Sequence, residues 1–305
     1  MKVFITGGTG FVGTFLTKKL VEKDHEVTIL TRKIREGVQL PKGSSLFEGN
    51  PTEPGPWQER LSEHEVVINL AGAPIFTRWK KKMKKEIYNS RILTTNHIVD
   101  ALANRKGRDT HLLSTSAVGF YGFHSDEVLT ENDQSGTDFL AQVTSSWESA
   151  ALKAREQNVR VVLCRFGIVL GRHGGALAQL TSIFKNYLGS TLGSGDQWFS
   201  WVHEQDLAHI FLFLLENTSI EGPVNCTSPN PVRNSELTKT LGEVMHKAIL
   251  FPSVPGFVLR LMLGEFAQTL LKGQRVISQK LQDSGYQFQF PALKEALEDL
   301  LVASQ

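Results

Sequence analysis

Cysteine is scarce in this 305-residue chain, which carries two, Cys164 and Cys226, each inside an apolar run. No C-x-x-C pair and no Cys/His cluster occurs, so neither a disulfide framework nor a zinc site is expected, and a reducing compartment is. An excess of one charge is also missing. Lys and Arg together number 33 against 31 Asp and Glu, so net charge gives no reason to expect a nucleic-acid partner. Apolar runs stay far below the ~18 residues that a membrane span needs; the longest, Ile210 to Leu215, reads as a buried helix face. Repeats and low-complexity tracts are absent. Met1 abuts a core strand, so no signal peptide is expected, and the chain reads as soluble and cytoplasmic with no membrane partner. The nine histidines are scattered and read as structural, with no metal site among them. Tyrosine is rare too, at four.

What is present organises itself around the first 32 residues. Lys2 to Thr6 is a β-branched, apolar strand that runs into Gly7-Gly8-Thr9-Gly10-Phe11-Val12-Gly13. Phe15, Leu16, Leu20 and Val21 follow at helical spacing, and Glu26 to Leu30 is a second strand. Strand, glycine turn, helix and strand together are the arrangement that seats a dinucleotide pyrophosphate on a helix N-terminus. Gly7, Gly10 and Gly13, with the Phe11 and Val12 amides, are the candidate cradle. A glycine turn used for packing alone is the weaker alternative.

The end of the second strand carries Thr31, Arg32 and Lys33 and no carboxylate before Glu36. An acid there would bind the ribose 2′-hydroxyl of NAD, whereas a guanidinium can grip a 2′-phosphate through two hydrogen bonds. The expected cofactor is therefore NADP(H); a solvated basic loop is the other reading.

Further strands are expected at 45–48, 66–70, 111–116, 160–166 and 223–226, alternating with helices at 57–61, 84–104, 139–157, 174–188 and 204–216. This alternation implies an α/β, doubly wound parallel sheet of Rossmann type. Leu70, Ala71 and Gly72 end one strand with small residues where a cofactor can lie against the backbone. Glu86, Ser90 and Arg91 share one side of the following helix, behind a lysine-rich stretch read mainly as a solvated face. Gln197, Trp198 and Trp201 suit an apolar substrate wall with polar handles, or a core segment bridging two lobes. From Asn230 the chain should build a smaller C-terminal α/β substrate lobe: a helix at 235–246 capped by Asn234 or Ser235, an apolar helix at 257–271, and a last helix at 293–301. For the apolar helix, a lid or a homodimer face is preferred over a membrane surface. Gly273-Gln274-Arg275 reads as a polar handle that could aim at a substrate. The expected division is 1–170 plus 204–226 for the nucleotide domain, and 171–203 plus 227–305 for the substrate-binding lobe.

Several motifs make a resemblance specific: Thr6 to Gly13, Asn69 to Gly72, Ser114 to Gly122, Trp147-Glu148, Arg165 to Gly171, Gly193 to His203 and Gly222 to Asn225. With these the chain resembles an extended short-chain dehydrogenase/reductase (SDR) of the NAD(P)-dependent epimerase/dehydratase superfamily, in its atypical "epimerase family protein" branch. The resemblance spans nearly the whole chain. It implies that Arg32 meets the 2′-phosphate, that Leu70 and Ala71 line the adenosine, that Glu86 and Arg91 contact the cofactor, and that Val169 packs near the nicotinamide.

One departure bears on activity. Ordinary members place a Y-x-x-x-K pair on the helix after the serine strand, where Lys lowers the Tyr pKa for proton transfer. Here that helix contains no tyrosine, and Val143 and Trp147 fall at the two positions. Ser116 and Tyr121 are the remaining catalytic candidates, although Tyr121 reads equally well as a packed aromatic. Two functions follow as expectations. One is an NADP(H)-dependent oxidoreductase or epimerase acting on a small hydroxyl or carbonyl substrate, such as a nucleotide sugar; the other is a cofactor-binding sensor or scaffold without catalysis.

Overall fold

A computed structural model describes residues 1–34, 37, 40–105 and 109–302, and the statements below concern those residues. The first half runs β1 (Lys2–Thr6), α1 (Phe11–Glu22), β2 (Glu26–Thr31), β3 (Ser44–Glu48), α2 (Trp57–Leu61), β4 (Val66–Asn69), α3 (Lys81–Ala103) and β5 (His111–Ala117). A 3-10 turn over Val118–Tyr121 leads to β6 (Val128–Leu129), α4 (Phe139–Leu152), β7 (Arg160–Phe166), β8 (Ile168–Gly171) and α5 (Gly175–Lys185). Next come β9 (Trp198–Phe199), β10 (Trp201–His203), α6 (Glu204–Glu216), β11 (Gly222–Cys226), β12 (Val232–Arg233) and α7 (Asn234–Val244). The chain closes with α8 (Gly256–Leu263), α9 (Ala267–Leu271), β13 (Arg275–Val276), α10 (Gln279–Asp283) and α11 (Leu293–Leu301).

Seven strands form one sheet in the order β11-β7-β5-β4-β1-β2-β3, and every neighbouring pair in it is parallel. The α/β doubly wound expectation is what the structure holds. Strand order reverses at β1, whose neighbours are β2 and β4, so a crevice opens beyond their carboxyl ends, where such sheets take ligands. Both faces are covered, which is why the strands read as continuous apolar runs. Val3, Ile5, Leu16, Leu20 and Phe211 pack on one face; Phe4, Val67, Leu61, Ile98 and Leu102 pack on the other.

A smaller region gathers α5, α7, α11 and β10 around Leu177, Phe184, Leu237, Leu241 and Leu297. Trp201 belongs to this core: it is 0% exposed and its indole donates to the Asn230 carbonyl at 3.0 Å. The expectation that it lines a substrate wall is therefore corrected, because β10 turns that ring inward onto the lobe's helices. Two element expectations also change. The expected helix 257–271 is two helices, broken at Gly264, whose φ of +62° no helix tolerates. At α7 neither expected residue caps; Arg233 holds the N-cap position without a side-chain bond, while Asn234 Oδ1 accepts from the Leu192 amide at 2.9 Å. The outer side of α8 leaves Phe257, Leu261 and Met262 exposed. No helix is long and apolar enough to cross a membrane.

Candidate functional site

The β1–α1 turn is built too tightly for side chains. Gly7 has φ +73°, and a Cβ on it would lie 2.8 Å from the Leu70 carbonyl carbon at the end of β4. A Cβ on Gly13 would meet Gly8 Cα at 2.4 Å. Glycine is required at both places, at the point where the strand order reverses. No side chain caps α1 at Gly10, so the amides of its first turn, Phe11, Val12 and Gly13, face the crevice's end of the helix where an anion is favoured. The Phe11 ring packs elsewhere, against Gly171, Gly174 and Gly175 after β8; a Cβ on Gly174 would touch it at 2.5 Å. These residues fit a dinucleotide pyrophosphate.

At the end of β2, Arg32 is exposed and Thr31 donates from its hydroxyl to the Lys33 carbonyl at 3.2 Å. Glu36 lies outside the described residues. An acid that linear reading missed stands nearby: Glu48 pairs with Thr31 across the β2–β3 ladder, and its carboxylate accepts from the Ile34 amide at 3.1 Å. It holds the basic loop in place.

The loop after β4 is gripped by α3. The Ser90 hydroxyl accepts from the Ala73 amide at 2.9 Å, and Arg91 Nη1 donates to the Ala73 carbonyl at 3.1 Å. Gly72 lies so close that a Cβ there would sit 2.9 Å from Arg91 Cζ. Burial lowers the Arg91 pKa to about 10, and the guanidinium lies 5.2 Å from the Trp147 ring centre. Trp147 in turn donates to Thr95, which accepts from Asn69 at the end of β4. Glu86, one turn before Ser90, is exposed.

The carboxyl end of β5 is a buried polar network. Ser116 donates to Glu148 Oε1 at 2.6 Å, and Arg165 on β7 forks onto the same carboxylate through two bonds of 2.8 Å. Arg165 also donates to the Tyr121 hydroxyl at 2.9 Å, and that hydroxyl donates to Asn225 Oδ1 at 2.7 Å. Burial pushes the Tyr121 pKa up to about 12, against the pull of Arg165. Burial alone would lower the pKa of Arg165, but the bonds and charge of Glu148 and the Tyr121 oxygen hold it above its ordinary value. Of the two readings of Tyr121, catalytic candidate or packed aromatic, the geometry is that of the packed aromatic: at 0% exposure its proton is committed and hard to release. Ser116, 1% exposed, is likewise turned into the α4 side of the sheet. Glu148 and Arg165 were visible as motif residues, but their pairing across 17 positions carried no linear signal.

Val169, half-buried on β8, pairs with Val202 on β10. The Gln197 amide donates to the Leu192 and Leu270 carbonyls at 3.0 and 2.8 Å, tying the loop before β9 to α9. Trp198 keeps part of its surface open and donates to Asp126 Oδ1 at 2.9 Å.

The family model described as "NAD dependent epimerase/dehydratase family" matches residues 3–226, and a "Domain of unknown function (DUF1731)" matches 254–300. An Arabidopsis thaliana "Epimerase family protein SDR39U1 homolog, chloroplastic" is 41% identical over 303 residues, covering 99% of this chain and 87% of that one. The crystal structure of human epimerase family protein SDR39U1 with NADPH superimposes with a TM-score of 0.85 at 30% identity, covering 98% of this chain and 99% of that chain. A nucleoside-diphosphate sugar epimerase from Corynebacterium glutamicum has a TM-score of 0.78 at 32% identity, covering 98% of this chain and 58% of that one. With its glycine turn at the β1–β4 reversal and the matched model spanning the seven-stranded sheet, this chain belongs to the NAD-dependent epimerase/dehydratase family.

Proposed function

We propose that this chain binds NADP(H) beyond β1 and β4 and acts as an oxidoreductase or epimerase on a small hydroxyl- or carbonyl-bearing substrate, with nucleotide sugars as the substrate class. The observation that carries this reading is the uncapped start of α1 beside Gly7, where an added Cβ would lie 2.8 Å from the Leu70 carbonyl carbon, with Arg32 exposed at the end of β2. The likeness to a human protein crystallised with NADPH, and to a protein named a nucleoside-diphosphate sugar epimerase, supports it.

The bound cofactor would supply or accept a hydride. In this reading the amides of Phe11, Val12 and Gly13 hold the pyrophosphate, Arg32 takes the 2′-phosphate beside Thr31, and Leu70, Ala71 and Gly72 line the adenosine. Arg91 keeps a positive charge stacked on Trp147, the residue at the position where the resemblance places lysine. Glu86 closes the α3 side and Val169 the nicotinamide side. Residues 171–203 and 227–305 bring the substrate, with Gln197 and Trp198 at its edge. Because Ser116 and Tyr121 donate to buried acceptors, the proton that balances hydride transfer is exchanged with water.

Those same two commitments favour a second reading, a cofactor-occupied sensor or scaffold. Following NADPH absorbance with UDP-sugars, aldehydes and ketones, alongside NADPH binding by fluorescence, separates the two. Turnover on any class supports the enzyme, and tight NADPH binding with no turnover supports the sensor. Absence of NADPH binding defeats both.

A further inference from the structure

The basic loop after β2 is held at three points, and Arg32 stands among them. The Thr31 carbonyl accepts from the Gly49 amide at 2.8 Å, which carries the β2–β3 ladder one residue further. The Thr31 hydroxyl donates to the Lys33 carbonyl at 3.2 Å. The third hold comes from the neighbouring strand. Glu48 ends β3, paired with Thr31, and its Oε2 accepts from the Ile34 amide at 3.1 Å across 14 positions of chain. Arg32 itself is exposed and forms no ion pair among the described residues.

A carboxylate at this edge of the sheet has two possible uses. Left free, it would accept from a ribose 2′-hydroxyl and repel a 2′-phosphate. Here a backbone amide engages it instead, and that bond fixes the chain two residues beyond Arg32. An arginine that grips an anion gives up side-chain freedom, and a loop already fixed leaves less freedom for binding to remove. The two-pronged contact of guanidinium with phosphate also depends on direction, so a backbone pinned on both sides of Arg32 favours it.

We propose that Glu48 is a positioning residue for NADPH selectivity. By holding the Ile34 amide it sets Arg32 toward the 2′-phosphate, and it makes no bond to the ribose. This rests on the NADP(H) reading above and deepens it: discrimination between the two nicotinamide cofactors is built from β2 and β3 together rather than from β2 alone.

The test is a set of fluorescence titrations with NADPH and NADH on the parent, Glu48→Gln and Glu48→Ala, each repeated in an Arg32→Ala background. Glutamine keeps an oxygen acceptor for the Ile34 amide and drops the charge, so Glu48→Gln should bind NADPH at least as tightly as the parent. Glu48→Ala removes the acceptor and should bind NADPH about three- to tenfold more weakly than Glu48→Gln, the size of one ordinary hydrogen bond. NADH affinity should hold steady in both variants, and the contrast between them should vanish in the Arg32→Ala background. Equal NADPH affinity in Glu48→Gln and Glu48→Ala overturns the proposal. A parallel fall in NADH affinity overturns it too, since Glu48 would then be a ribose ligand or a general support of the fold. So does a contrast that survives Arg32→Ala. A parent that binds neither cofactor, or both alike, strikes the NADP(H) reading itself and takes this proposal with it, a failure visible before any variant is made.

Discussion

The Tyr121 hydroxyl is closed at both ends, accepting from Arg165 and donating to Asn225. Replacing it by Phe should therefore act on stability rather than chemistry. Tyr121→Phe leaves the Asn225 carbonyl oxygen and an Arg165 N–H short of a partner, which costs about 1–3 kcal/mol. Guanidinium-chloride unfolding should show a lower midpoint while the pH profile of hydride transfer stays put; a displaced profile would restore Tyr121 as a proton donor. Glu148→Ala should be harsher, about 3–5 kcal/mol, because it strands the buried Arg165 charge. Arg32 is the opposite kind of residue, exposed and available. Charge-assisted bonds contribute about 1.5–3 kcal/mol, so Arg32→Ala should cut the preference for NADPH over NADH by about 10–100-fold. Equal fluorescence titrations for parent and variant would show that the 2′-phosphate is held elsewhere.

Among the elements, the 256–271 segment carries the sharpest sign. Helix propensity says that Gly264→Ala stabilises a helix interior by about 1 kcal/mol. The backbone says the reverse. Gly264 sits at φ +62° between α8 and the turn into α9, with no atom nearer to an added Cβ than Arg78 Cγ at 3.6 Å. Space exists, so strain alone decides, and Gly264→Ala should destabilise by about 1 kcal/mol. A raised unfolding midpoint would mean that one continuous helix forms after all. The turn lets Phe266 pack with Trp79 and Ile87, and it lets Glu265 pair with Lys84. Propensity has no knowledge of either contact.

Across the whole molecule, α11 is tied to the junction of β10 and α6 through His203. Nδ1 accepts from the Gln205 amide, so the ring proton sits on Nε2, 3.3 Å from Asp299 Oδ2. Phe290 stacks on the ring at 3.9 Å, and Arg172 donates to the Asp299 carbonyl at 2.6 Å. Burial lowers the His203 pKa to about 4, with Asp299 opposing and Arg172 assisting. The unfolded chain takes up that proton near pH 6.5, before the native state does, so stability rises with pH between about 4 and 6.5 and is complete above that window. At ~1.4 kcal/mol per pKa unit the ceiling is ~3 kcal/mol. His203→Gln should flatten the difference in unfolding free energy between pH 4.5 and 7.5. A slope that survives the substitution would assign the effect to other groups, of which Glu204 titrates with the opposite sign.

Linear sequence determined the parallel sheet, the glycine turn and most helix bounds, because burial on both faces writes apolar runs and because φ and close approach demand glycine at Gly7 and Gly13. It also placed Arg32, since the end of β2 lies a fixed chain distance from the turn. Tertiary structure alone decided which side chains face the crevice. Trp201 and Trp198 are three residues apart, yet one is core and the other open, because β10 pairs with β8 while β9 pairs with β12. Ser116, Glu148, Arg165, Tyr121 and Asn225 meet only when β5, β7 and β11 lie side by side under α4. Their hydroxyls are spent on one another, and hydrogen bonds between residues 17 to 104 positions apart leave no periodicity for a reader of the chain to find.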